Sequence, residues 1–198
     1  RRVLYHNQTY KPVGEVKDLA FDDRDRLRLG TFAGVENVED EAIGWPGRCC
    51  VCIATIGEDV FAAALDGELA LLKSAQDVAW TAPLPADRAQ CLAAADDVVV
   101  VSTRLGSVVA FTNAGVERWA QKVGDGDDGG GTYVVIRDGA CYAAGGGAWA
   151  AYALDTGAPL VQGILKPRRC RGLGAASSNV IAAVEAGDSD DAPGRRGE

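Results

Sequence analysis

The sequence predicts an all-β protein, specifically a β-propeller of four-stranded antiparallel blades. Four segments of the 198-residue chain repeat one pattern that can be aligned on a glycine. Two short apolar runs precede each glycine at fixed distances, and an acidic residue lies between the runs. A period near 40 residues made of short strands is typical of propeller blades. The aligned glycines, 33, 39 and 41 residues apart, are Gly34, Gly67, Gly106 and Gly147.

The first two copies differ in clarity. In the first copy, residues 16–45, two strands and a turn are predicted over residues 19–29, and the residues after Gly34 lack clean alternation. The second copy, residues 49–81, contains four apolar runs separated by turn residues. Its Asp66-Gly67 pair predicts a hairpin turn, because glycine accepts the positive φ that such turns require.

The third and fourth copies span residues 90–120 and 132–162. Trp80 and Trp119 are 39 residues apart, the same distance that separates the turn glycines of their copies. We therefore expect the two tryptophans to occupy equivalent positions and to pack between neighbouring sheets, where large aromatic side chains bury much area. In the fourth copy the expected tryptophan is replaced near Val161.

A half copy, residues 170–185, supplies two further strands, so the propeller domain is predicted to span residues 1–186. The small, acidic segment 187–198 is predicted to be disordered. Exposed strand edges invite aggregation, and pairing of the half copy with the N-terminal strands would hide them. The sequence thus predicts about five blades if the ring closes, or otherwise an incomplete larger propeller.

The repeats resemble blades of the pyrroloquinoline-quinone-type (PQQ-like) propeller family. The resembling segments are residues 66–71 (DGELAL), 114–119 (AGVERW) and 151–157 (AYALDTG). The resemblance covers roughly residues 50–185 and implies a propeller. It leaves the activity open, because most repeats of this family occur in proteins that bind no quinone.

Six cysteines raise the question of cofactor or metal chemistry. Some quinoprotein dehydrogenases place a vicinal disulfide against the quinone, so Cys49-Cys50 is a candidate by resemblance. The alternative is that the cysteines are reduced and buried as small hydrophobic residues, which favours a cytoplasmic location. A zinc site at Cys49, Cys50 and Cys52 lacks a nearby fourth ligand, since the single histidine is His6.

Charged segments give three candidate binding surfaces. An acidic residue lies at the first turn of every copy, and because these turns converge on one face of a propeller, the four could form a ring that binds a cation or a basic partner. The alternative is that acidic residues simply favour turns. The basic run 166–171 could contact an acidic partner or be a solvated connector, and the Gly/Asp-rich loop 124–131 could bind calcium or be a solvated loop. The candidate interaction residues are Asp25, Glu58, Asp97, Asp138, Arg168, Arg169 and Arg171.

The composition argues against several functions. A net charge of −8 repels nucleic acid and anionic membranes, and no apolar stretch is long enough to span a bilayer. With one histidine, a Ser-His-Asp triad has little support. The sequence therefore predicts a non-catalytic scaffold, without a cofactor, that mediates protein–protein interaction in a larger assembly. The alternatives are a fragment or relative of a PQQ-dependent dehydrogenase and a ligand-sensing propeller.

Overall fold

The all-β prediction is confirmed by the architecture. A computed structural model describes residues 3–5, 8–85, 87–124, 131–165, 169–176 and 179–185. These residues form twenty β-strands and no helix. The strands make four four-stranded antiparallel sheets, here called blades 1 to 4, and two separate two-stranded sheets. The predicted tail, residues 187–198, lies outside the described residues.

Strand bounds follow the repeat. The N-terminal hairpin consists of β1 (Val3–Tyr5) and β2 (Gln8–Tyr10). Blade 1 consists of β3 (Val16–Phe21), β4 (Leu27–Thr31), β5 (Gly34–Asn37) and β6 (Ala42–Gly44). Blade 2 consists of β7 (Cys50–Ile56), β8 (Asp59–Ala64), β9 (Glu68–Lys73) and β10 (Asp77–Pro83). Blade 3 consists of β11 (Ala89–Ala95), β12 (Val98–Thr103), β13 (Ser107–Thr112) and β14 (Glu117–Lys122). Blade 4 consists of β15 (Thr132–Arg137), β16 (Ala140–Gly145), β17 (Ala148–Ala153) and β18 (Pro159–Ile164), and the C-terminal hairpin consists of β19 (Arg169–Ala176) and β20 (Asn179–Glu185).

The blades are arranged as in a propeller. Within each blade the strands pair in chain order, from the first strand at one edge to the fourth at the other. The first strands of consecutive blades pack against one another, from β3 through β7, β11 and β15 to β19. These strands form the inner edge of an arc, and the fourth strands lie at its outer edge.

The core lies between blades rather than within one sheet. One apolar cluster joins blades 2 and 3 and includes Phe61, Leu71 and Val101, and a second joins blades 3 and 4. All six residues of β12 are buried. A strand covered by another blade on each side can be apolar at every position, which explains the uninterrupted valines Val98 to Val101.

Blade 1 is more complete than the sequence predicted. The residues after Gly34 form β5 and β6, and every residue of β5 is buried. Alternation is missing because Glu36 is fully buried, where its carboxylate accepts hydrogen bonds from Tyr10 Oη, Val13 N and Gly14 N, each at 3.0 Å. Burial and the Glu36 carboxylate raise the pKa of Tyr10 to about 12, so the phenol keeps its proton in neutral solution.

The predicted equivalence of the two tryptophans is confirmed. Trp80 Nε1 donates a hydrogen bond to Asn113 O, and Trp119 Nε1 donates one to Leu154 O, both at 2.7 Å. Asn113 and Leu154 each directly follow the third strand of the next blade. Each indole therefore joins the outer strand of its own blade to the third turn, between the third and fourth strands, of the following blade.

Gly157, in the third turn of blade 4, is fitted against Trp119. Its φ is +69°, and an added Cβ would lie 2.6 Å from Trp119 Cγ. We expect Gly157→Ala to destabilise the protein by about 2–4 kcal/mol, because it combines an unfavourable φ with a clash against a rigid ring. The matched control is Gly67→Ala, at φ +86° with nothing within 4 Å, which should cost about 1 kcal/mol. Equal losses in chemical denaturation would show that the contact with Trp119 is unimportant.

The two ends of the arc are not joined. Among the described strands, β1 pairs only with β2, and β20 pairs only with β19. The predicted closure of a five-bladed ring by these hairpins is therefore not found. The chain forms an open arc, in agreement with the alternative of an incomplete larger propeller.

Candidate functional site

The four acidic residues occupy equivalent turns. Asp25, Glu58, Asp97 and Asp138 each lie between the first and second strands of their blades. Asp25 and Asp138 adopt φ values of +58° and +48°, which is characteristic of tight turns. The turns thus have the position that the repeat predicts.

Arginines of the same chain neutralise most of this acidic charge. Glu58 pairs with Arg24 and, at 2.9 Å, with Arg26. Arg118 pairs with Asp97 at 2.7 Å, and Arg137 pairs with Asp138 at 2.9 Å. These internal pairs favour a structural role for the turns, and an acidic ring that binds a cation or basic partner stays a prediction.

The other predicted surfaces are only partly described. Arg168 and most of the loop 124–131 lie outside the described residues. Arg169 lies in β19, and Arg171 lies in the same strand with its side chain exposed. A basic contact surface at these arginines and calcium binding by the loop both stay predictions.

The cysteines have the character of buried hydrophobic residues. All six are free thiols in the structure, Cys49 and Cys50 included. Burial raises the pKa of Cys50 and of Cys141 to about 12 and places that of Cys52 well above its ordinary value. These thiols therefore stay protonated and weakly nucleophilic at neutral pH. Across the part of the chain that the structure describes, no group of three or more His, Cys, Asp or Glu side chains is placed to hold a metal ion.

A buried charge cluster in blade 1 was not anticipated from the sequence. The guanidinium of Arg28 is fully buried and donates from Nη2 to Asp22 Oδ2 at 2.7 Å. The Asp22 carboxylate also accepts hydrogen bonds from Arg26 Nε at 2.8 Å and from the backbone N–H groups of Arg24 and Arg26 at 3.0 Å. Within the described residues, Nε and Nη1 of Arg28 have no hydrogen-bond partner. Asp22 thus both closes the first turn and neutralises a buried cation.

The open end of the arc exposes an apolar strand. Val161 pairs with Ala151 as Trp119 pairs with Ala110, so Val161 occupies the position of the interblade tryptophan in blade 4. Trp119 is 7% exposed, whereas Val161 is 47% exposed. Leu160 and Ile164, on the same strand, are 60% and 76% exposed. We call Leu160, Val161 and Ile164 the end face.

A cavity of about 410 Å³ lies between blade 4 and the C-terminal hairpin. Blade 4 contributes Tyr142, Trp149 and Leu165 to its lining, and the hairpin contributes Leu173 and Val180. In complete blades a third strand pairs with the second, but β20 has β19 as its one partner among the described strands. The end face, this cavity and the edge of β20 together form a site with the geometry for an added strand.

Comparison with known proteins places the fold. No protein-family model and no curated protein sequence matches the chain. The crystal structure of the computationally designed protein Ika8 has a TM-score of 0.69 and 14% identity, covering 86% of this chain and 55% of that one. BamB from Moraxella catarrhalis has a TM-score of 0.66 and 17% identity, covering 88% and 63%. BBS1N, in a crystal structure with ARL6DN, has a TM-score of 0.68 and 17% identity, covering 90% and 65%.

This chain is built of β-propeller blades. BamB and BBS1N are β-propellers, and at these identities the likeness concerns the fold alone. The resemblance to the PQQ-like family is supported at this coarser level. The chain spans between 55% and 65% of the length of these three structures. In the described residues, no helix is long and apolar enough to cross a membrane.

Proposed function

We propose that this chain is a non-catalytic β-propeller scaffold that mediates protein–protein interaction within a larger assembly, with a protein bound at the open end of the arc. The observation that carries the proposal is the exposure of the end face. In blades 2 and 3 the equivalent positions are covered by the third turn of the following blade. In blade 4 the same surface has no such cover among the described residues.

The chemistry of the site suits a protein segment. Scattered exposed apolar residues are ordinary, but three on one strand beside an apolar cavity form a patch typical of interaction sites. The edge of β20 adds backbone donors and acceptors that an incoming strand can satisfy. Apolar contact and strand addition together would give both affinity and orientation.

The comparisons support the proposal in a general way. BBS1N was crystallised in complex with ARL6DN, so a propeller of this architecture binds a protein partner. We infer the same class of activity for this chain from its own exposed surface rather than from that relationship.

Site-specific photo-crosslinking tests the proposal. A photoreactive residue at Val161 should give a discrete protein adduct in cells of the source. The matched control is Val116, which is 62% exposed in the third turn of blade 3 and lies away from the open end. Absence of an adduct at Val161, or an equal adduct at Val116, would contradict the proposal.

The two alternative functions make a different prediction. A relative of a PQQ-dependent dehydrogenase should bind PQQ with calcium and alter the absorbance of the quinone, and a ligand-sensing propeller should bind a small molecule in its channel. Saturable binding of PQQ and calcium, unaffected by substitution of Val161, would replace the scaffold by a cofactor-binding propeller.

A further inference from the structure

The N-terminal hairpin has the position of an outer pair of strands. In each complete blade the third and fourth strands precede the first strand of the next blade, and β1 and β2 precede β3 in the same way. The connector 11–15 between β2 and β3 has the same length as the connectors 45–49 and 84–88 that enter blades 2 and 3.

The path of this connector is also the same. Glu15 O accepts a hydrogen bond from Phe32 N at 3.3 Å, in the turn between the second and third strands of blade 1. The corresponding bond joins Cys49 O to Leu65 N in blade 2 at 2.8 Å. In blade 3 it joins Arg88 O to Arg104 N at 3.0 Å. The chain therefore enters blade 1 as it enters the following blades, from an outer strand.

The C-terminal hairpin is the complementary half. Its strand β19 packs on β15 as β15 packs on β11, so β19 and β20 are the first and second strands of a fifth blade. The chain thus has an inner pair without an outer pair at one end and an outer pair without an inner pair at the other. In the described structure of one molecule these two halves are not hydrogen-bonded to each other.

The sequences of the two ends have opposite charge. Residues 1–13 contain three basic residues, Arg1, Arg2 and Lys11, and no acidic residue. Residues 179–191 contain four acidic residues and no basic residue. In every blade the second and third strands are antiparallel, so pairing of β20 with β1 would bring the end of β20, at Glu185, beside the start of β1, next to Arg2. Opposite charges opposite each other stabilise such a pair.

We propose that copies of this chain associate head to tail, with the β1–β2 hairpin of one copy adding to β20 of another to complete a four-stranded blade. This inference rests on the proposed function, because the hairpin would be the protein segment that covers the end face. The contact is heterologous, so association continues until a ring closes or a filament forms.

Sedimentation velocity of the full chain over a concentration range up to about 200 µM tests the inference. The mass should rise above that of the monomer with concentration. Deletion of residues 1–7, which removes β1 and retains the Tyr10–Glu36 hydrogen bond, should give a monomer with an unchanged circular dichroism spectrum. The double substitution R1E/R2E should keep the fold and raise the concentration needed for association about fivefold, less so at high salt.

Three outcomes would overturn the inference. One is a monomer at every concentration. Another is association that the deletion and R1E/R2E leave unchanged. The third is a monomer in which hydrogen exchange at β20 is slow and becomes fast on deletion of residues 1–7, since that result means closure within one molecule. If the chain is monomeric and Val161 still crosslinks to a different protein, the scaffold function stands and only the head-to-tail contact fails.

Discussion

Replacing Trp119 with alanine is expected to destabilise the protein by about 3–5 kcal/mol. The indole is nearly fully buried between blades 3 and 4, its ring lies 6.0 Å from that of Tyr152, and its N–H donates to Leu154 O. Removal leaves a cavity against Gly157 and a buried carbonyl without its donor. Chemical denaturation of the wild type and the variant measures the loss.

Two further variants separate the causes. Trp119→Phe keeps most of the ring volume and loses the hydrogen bond, and should cost about 1–2 kcal/mol. Trp80→Ala removes the equivalent indole, which is only half-buried, and should cost clearly less than Trp119→Ala. Equal losses for the two alanine variants would mean that burial does not control the contribution of the interblade tryptophan.

Substitution of Asp22 by asparagine is expected to cost about 3 kcal/mol or more, because it leaves the buried Arg28 cation without a counter-charge. The amide keeps an oxygen for the backbone N–H groups of the turn, so the variant isolates the charge. The control is Asp138→Asn, whose ion pair with Arg137 is exposed and should contribute within about 0.5 kcal/mol.

A second substitution shows whether the buried charge is the cause. Combining Asp22→Asn with Arg28→Met removes both charges and should recover part of the lost stability. If the double variant is as unstable as the sum of the single variants, the two side chains act independently and the explanation is wrong.

The same carboxyl predicts the dependence of stability on pH. Burial alone would raise the pKa of Asp22, but hydrogen bonds from Arg26, Arg24 and Arg28 outweigh burial and hold the pKa below its usual value. A lowered pKa in the folded state contributes stability above the unfolded pKa near 4 and loses it as the pH falls through the folded pKa. Asp22→Asn should therefore weaken the loss of stability in acid. Parallel acid denaturation of the two proteins would contradict this account.

Local spacing in the sequence predicted the blades and their contacts. The recurrence of Gly67 and Gly106 and of Trp80 and Trp119 reflects equivalent turns and equivalent interblade positions, which sequence distance reports directly. The end of the pattern at Val161 also indicated where the interblade contact changes. Such features depend on neighbouring residues in the chain, so one sequence carries them.

Features that depend on distant residues were not predictable. Glu36 and Arg28 are charged residues in strands, and their polarity alone suggests exposure. Glu36 is buried because the segment around Tyr10 and Gly14 crosses it, and Arg28 because Asp22 neutralises it. Whether the arc closes depends on small rotations between blades, which no residue pattern encodes.

The stacking of inner strands has a consequence for how the molecule unfolds. Extensive contacts between blades involve consecutive blades only, so stability is distributed approximately as in a linear chain of nearest neighbours. Blades 2 and 3 have a complete neighbour on both sides, whereas blade 1 and the C-terminal hairpin do not. Unfolding should therefore fray inward from the two ends, and a partner that covers an end would act on folding cooperativity as well as on binding.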